Sequence, residues 1–249
     1  DIYDRPMQRR DFLTTTAAGT LAPLALACSA TAQTPGSKNP RIEEIRKRIN
    51  PITADERQQR LENARKIMRA QNIDAMLFEG GVSLNYFTGV SWGRSERLFA
   101  MILPQNGEPQ FIAPKFEESR AREQVGSAKL LTWEEDQSPY EPMRQVLKDN
   151  NMLTGTIGIE ESTRHFVTDH IGKTIGTLKL VSGTGVTAGC RSVKSAHEIE
   201  LMQIANDITA EVYKASLPAL REGMTEREFG STISKLFSEY GASGGALVL

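Results

Sequence analysis

The chain has 249 residues, with 30 basic and 31 acidic side chains, a net charge of −1, 39% apolar residues and 24% charged ones. This is the composition of a globular chain of one large or two modest domains, with ample apolar content for a buried core. The near-zero charge balance excludes partners chosen by global field, so neither nucleic acid nor an anionic membrane surface is expected.

The first forty residues are assigned to a leader and linker. Met7 is followed by the arginine pair Arg9 and Arg10, then Phe12 and Leu13. A small-residue, leucine-rich run follows and closes on two A-x-A sites, Ala25–Ala27 and Ala30–Ala32. A basic start before a short apolar core and a small-residue cleavage site is a secretory signal pattern over about residues 7–32, cleaved at Ala27 or Ala32. The R-R-x-F-L arrangement resembles a bacterial twin-arginine signal, which implies a periplasmic or secreted protein with no membrane association once the leader is removed. Lipoprotein anchoring at Cys28 is the alternative, although Ala25 stands where a larger aliphatic residue is usual. Loss of the leader with Cys28 leaves Cys190 alone, so no internal disulfide is expected. QTPGSKNP reads as linker.

From there the elements alternate. TADERQQRLENARKIMRAQN is a helix, with Thr53 and Glu56 in capping-box register and Leu61, Ala64, Ile67 and Met68 on one face. IDAMLF is a strand and EGGVSLNYFTGVSWGRSER a loop. LFAMILP and PQFIA are a hairpin around Asn106-Gly107, a dipeptide suited to hairpin turns. FEESRAREQV is a helix, KLLTW a strand and PYEPMRQVLKDN a helix. TIGIE, RHFVTDHIGKTIG and KLVSG then read as strand, helix and strand. This succession predicts an α/β domain with a mixed sheet over residues 41–190. A second section, 191–249, opens with the capping box of Ser195 and Glu198 and a long helix carrying Ile199, Met202, Ala205, Ile208 and Val212. Thr225 and Glu228 cap the next helix, Gly241 ends it, and GGALVL begins an apolar strand.

Several motifs are weighed and set aside. HIGKT lacks the first glycine of a phosphate loop, since Val167 stands there. GTGVTA matches a loose dinucleotide pattern, but no helix is expected before Ser195 and GCRSVK looks extended, so a turn is the better reading. His165 and Asp169 share i, i+4 spacing, yet His170 faces elsewhere and no further ligand-rich stretch accompanies them, which favours a solvated helix face. His197 is expected at the surface. Glu160 and Glu161 end a strand without a visible partner, and Cys190 has no identifiable activating base. The loop NYFTGVSWGRSER concentrates Tyr86, Phe87, Trp92, Arg94 and Arg97 among glycines. Aromatics and guanidiniums so placed can wall a peptide site and hold its carboxylate; the competing reading is a packed loop with Trp92 covering the core.

NYFTGV followed by a hairpin resembles the N-terminal domain of creatinase and prolidase. RSVKSAHEIELMQIANDIT followed by LREGMTEREFGSTISKLFSEYGA is similar to the opening of the Xaa-Pro peptidase catalytic domain, the pita-bread fold. The resemblance spans about residue 41 to the end and is firmest from Arg191. It implies a creatinase/prolidase-like domain behind the signal, followed by an incomplete pita-bread α+β domain. In that family two Asp, one His and two Glu hold a pair of divalent metals, manganese, cobalt or zinc, that generate hydroxide for hydrolysis. No residue here matches those ligands, so the resemblance implies a front section with its metal site beyond Leu249 and no catalytic or metal residue of its own. It further implies proline-containing peptides as substrates and a homodimer or higher homo-oligomer, with the Tyr86–Arg97 loop lining substrate. A creatinase-like amidino hydrolase and a non-catalytic peptidase-like module remain open alternatives.

Overall fold

The computed structural model describes residues 40–242; the leader, most of the linker and the strand expected near Gly245 lie outside the described residues. The helices are α1 (Pro40–Lys47), α2 (Ala54–Ala70), α3 (Val82–Thr88), α4 (Glu118–Val125), α5 (Tyr140–Asp149), α6 (His165–Thr174), α7 (Thr184–Arg191), α8 (Ala196–Ser216) and α9 (Glu226–Glu239). The strands are β1 (Ala75–Glu79), β2 (Ala100–Pro104), β3 (Gln110–Pro114), β4 (Lys129–Trp133), β5 (Thr156–Ile159) and β6 (Lys179–Ser182). They form one sheet in the order β4-β3-β2-β1-β5-β6. Only β2 runs against the others, because the Asn106-Gly107 hairpin returns the chain at once. Gly107 takes a positive φ there, as the turn requires.

Every residue of β1, β2 and β3 is buried, since helices cover both faces. Side chains alternate between two cores, as strand geometry dictates. Met76, Phe78, Met101, Leu103 and Phe111 face α2, α3, α4 and α7. Leu77, Ala100, Ile102 and Ile112 face α5 and α6, where Met143, Val146, Val167 and Ile171 meet them.

A third apolar cluster holds α1, α8 and α9 together through Ile45, Ile204, Ile208, Val212, Ile233 and Tyr240. Arg48, just past α1, donates to Asp207 of α8 at 2.9 Å. The capping boxes at Thr53, Ser195 and Thr225 all form, each satisfying two backbone donors reciprocally. Among the described residues no helix is long and apolar enough to cross a membrane.

Five readings of the sequence are corrected. A helix, α1, precedes the expected first one and takes its apolar contacts from α8 and α9. The stretch 82–88 is α3, not loop; Leu84 and Phe87 sit on its buried face, and Gly89 in the left-handed region closes it. The residues after Gly183 are α7, not extended chain. Their glycines serve close helix packing: a Cβ on Gly185 would lie 2.5 Å from Gln71 Nε2, and one on Gly189 2.8 Å from Ile67 Cδ1. On α8 the buried face is Ile204, Ile208 and Val212, with Ile199 and Met202 exposed. His197 is half-buried and bridges two elements: Nδ1 lies 2.6 Å from Glu56 Oε1 and Nε2 3.0 Å from Asn50 O.

Candidate functional site

Parallel α/β sheets gather chemistry at the carboxyl ends of their strands, because the backbone there turns into loops and helix starts. Here β1 ends on Glu79 and β5 runs into Glu160, two carboxylates that are almost wholly buried. Glu79 is gripped by Arg164 at the entry to α6. The Arg164 backbone N–H donates at 3.0 Å, Nε at 3.2 Å and Nη2 at 2.7 Å. Arg164 also donates to Ser95 O, which ties the loop before β2 to the same point.

Glu160 is held differently. Ser83 Oγ donates to its Oε1 at 2.7 Å and Ser162 Oγ to the same oxygen at 2.8 Å. Each serine in turn accepts from an arginine: Arg94 Nη2 reaches Ser162 at 2.6 Å and Arg191 Nη1 reaches Ser83 at 3.4 Å. The result is a chain Arg94–Ser162–Glu160–Ser83–Arg191 drawn from four segments: the loop before β2, the turn after β5, α3 and α7. Arg94 is fixed further by donating Nε to Gly80 O at 2.8 Å. Gly80 must be glycine for the loop to lie this close, since a Cβ would sit 2.8 Å from Trp92 O and 2.9 Å from Gly93 O, both backbone.

Trp92, Arg94, Glu160, Glu161, Ser162 and Arg191 line a cavity of about 540 Å³. A second cavity, of about 550 Å³, shares Glu161 and Arg191 and reaches Arg60, Tyr86, Glu198 and Met202. Glu161 is held below the ordinary carboxylate range, first by its own backbone N–H and then by the Thr184 and Thr187 hydroxyls, with Arg191 adding charge.

The expected site residues are therefore divided. Trp92 and Arg94 share the first cavity. Trp92 is nonetheless buried, stacked on Phe99 at 4.0 Å with the Arg120 guanidinium 4.1 Å from its ring, so it also covers the core. Tyr86 belongs to the second cavity, where its hydroxyl donates to Cys190 O at 2.9 Å and Arg60 lies 4.0 Å over its ring. Burial, then the Glu198 charge, pushes the Tyr86 pKa up. Arg97 stands elsewhere: it donates Nε to Glu135 at 2.5 Å, pairs with Glu96 and covers Phe116.

The remaining candidates hold no common site. His170 stacks on Tyr140 with ring centroids 5.3 Å apart, and Asp169 is tied to Lys173 at 2.6 Å, which lowers its pKa. Cys190 is half-buried, and that burial raises its thiol pKa. Sequence reasoning left Glu160 and Glu161 without partners and passed over Glu79, Ser83, Ser162, Arg164 and Arg191. The available signal was positional: each acidic stretch directly follows an apolar strand.

Residues 60–193, more than half the chain, match the family model described as the creatinase/prolidase N-terminal domain, and the chain belongs to that family. An uncharacterized peptidase of Schizosaccharomyces pombe is 32% identical over 185 residues, covering 68% of this chain and 40% of that protein. Dipeptidase PepE from Mycobacterium ulcerans shares the fold with a TM-score of 0.68 at 22% identity, over 80% of this chain and 54% of that one. A prolidase from Thermococcus sibiricus does so with a TM-score of 0.66 at 22% identity, over 76% and 50%. The chain thus spans about half the length of the proteins it matches, or less.

Proposed function

We propose that the whole protein is an exported metallopeptidase that hydrolyses Xaa-Pro bonds, and that residues 41–190 are its substrate-facing N-terminal domain. Membership of the creatinase/prolidase family carries this reading. An X-Pro bond lacks the amide N–H of ordinary peptide bonds and needs a site shaped for it. Aromatic and guanidinium groups beside the carboxyl ends of β1 and β5 supply a surface of that kind.

The described residues do not fit a two-metal centre. Among them no three His, Cys, Asp or Glu side chains converge to hold an ion. Glu79 is committed to Arg164, and Glu160 Oε1 to two hydroxyls. Manganese, cobalt or zinc would then be held by ligands outside residues 40–242, in a pita-bread domain opened by α8 and α9. It includes a homodimer or higher oligomer, and export by the arginine pair at Arg9 and Arg10.

The test is a comparison of peptides on a protein extending past Leu249. Hydrolysis of Ala-Pro at least tenfold faster than Ala-Ala is expected. Equal rates, or cleavage of creatine with neither peptide touched, would overturn it. For export, cells carrying Arg9→Lys and Arg10→Lys should lose the periplasmic protein; undiminished periplasmic protein would remove the twin-arginine assignment.

A further inference from the structure

The cavity beside Trp92 carries a balanced set of charges, with Glu160 and Glu161 facing Arg94 and Arg191. Glu160 is the built element. Its side chain is almost wholly buried, and Oε1 takes hydroxyl protons from Ser83 and Ser162. Those two bonds fix the carboxyl plane while Oε2 has no hydrogen-bond partner among the described residues. Such an oxygen, at the wall of a cavity, is an acceptor awaiting a donor.

Arg191 is the complementary element. Its guanidinium lies 5.9 Å from the Tyr86 ring centroid and adds charge beside Glu161, but its one side-chain hydrogen bond among the described residues is the long one to Ser83, so most of its fork of N–H donors is unspent. Arg94, by contrast, is committed through Nε and Nη2 to Gly80 and Ser162 and acts as a brace. A fixed acceptor and an unspent guanidinium are thus linked through Ser83 and open into one cavity of about 540 Å³, within the range that holds small ligands.

We propose that this cavity binds a small zwitterion, an amino acid or dipeptide with free ends, its ammonium on Glu160 and its carboxylate on Arg191. Trp92 and Gly81 line the same cavity. The choice of proline-containing ligands rests on the peptidase reading, but the recognition itself requires only two opposite charges on a compact body. Ion pairs to Arg are bidentate where geometry allows, so removing either end of the ligand strands a charged partner in the wall.

Isothermal titration of the full chain with Ala-Pro and proline tests this, with N-acetyl-proline and prolinamide as probes lacking one charge each. Saturable binding of at least one zwitterion is expected, weakened tenfold or more by acetylation or amidation. Glu160→Gln should erase the penalty of acetylation and keep that of amidation; Arg191→Gln should do the reverse. That crossed pattern is not produced by a merely structural role. If Glu160→Gln fails to fold, the Arg191→Gln arm decides alone. No saturable binding by the native chain, or equal affinity for all four compounds, would overturn the proposal. Because no turnover is measured, a chain that binds while its longer form cleaves no Xaa-Pro peptide would contradict the peptidase reading and leave the site standing.

Discussion

Arg164 closes three hydrogen bonds onto the buried carboxylate of Glu79, joining the start of α6 to the end of β1. Glu79 is 1% exposed and Arg164 29%, so the pair lies at the boundary between core and site. Its value to the fold is less the attraction itself than the charge left stranded if one partner goes. Arg164→Ala should cost roughly 3 kcal/mol, the low end for a broken buried pair because Arg164 is partly exposed. Urea denaturation measures it, and a loss below about 1 kcal/mol, typical of surface pairs, would contradict the account.

Gly80→Ala tests how β1 positions the Trp92 loop. The added methyl would meet two carbonyl oxygens of the backbone, which cannot swing aside as a side chain can. A destabilisation of about 1–3 kcal/mol is expected, with a changed tryptophan emission as Trp92 shifts from Phe99. An unaltered spectrum together with unaltered stability would show that the loop does not rest on the strand end.

The bridge from His197 to Glu56 joins the starts of α8 and α2 and makes their contact pH-dependent. The Glu56 carboxylate raises the His197 pKa, and the Asn50 carbonyl adds to it. A raised folded value means the contribution is complete below the unfolded value near 6.5 and is lost as pH climbs through the folded one. The Glu56 pKa is lowered to about 2, first by the Thr53 backbone N–H and then by His197. Its contribution is complete above the unfolded value near 4.5 and is lost as pH falls toward 2. The bridge should therefore serve the fold best between about pH 4.5 and 6.5. Denaturation midpoints should fall from pH 6 to 9, and His197→Asn should flatten that fall. A mutant with the same pH profile as the native chain would remove the bridge from the account.

Much of this fold is legible in the sequence, because strands with apolar neighbours and helices with capping boxes depend on local signals. The Thr53, Ser195 and Thr225 caps, the Asn106-Gly107 hairpin and all six strands of the sheet are of this kind. What escaped depends on distant contacts. α1 has a weak pattern of its own and is held by Ile45 against α8 and α9. α7 is rich in glycine, poor for an isolated helix, and exists because those glycines let it approach α2. On α8, Ile199 and Met202 share the chemistry of Ile204 and Ile208, so periodicity could not choose the face. The site was least legible of all. Glu79 and Arg164 are 85 positions apart, and Ser83 and Glu160 are 77 apart, spacings that only the parallel pairing of β1 with β5 makes short.

We propose a domain boundary at residues 192–195, which follow α7 and carry the exposed Val193. Trypsin should cut first at Lys194 and leave residues from about 50 to 191 resistant, since both cores of the sheet close without α8 and α9. The α1 segment should be lost from that core, because its apolar partner cluster departs with the two helices. Rapid digestion throughout 60–180 would show instead that the sheet domain needs the remainder.

The most direct test of the central claim is a paired metal and turnover measurement. This chain and a form extended to the length of its relatives would each be stripped, reloaded with manganese, cobalt or zinc, and assayed with Ala-Pro. The account predicts two tightly held ions and hydrolysis in the extended form, and neither in the 249-residue chain. Stoichiometric metal with turnover from the 249 residues alone, or an extended form inert with every metal, would contradict it.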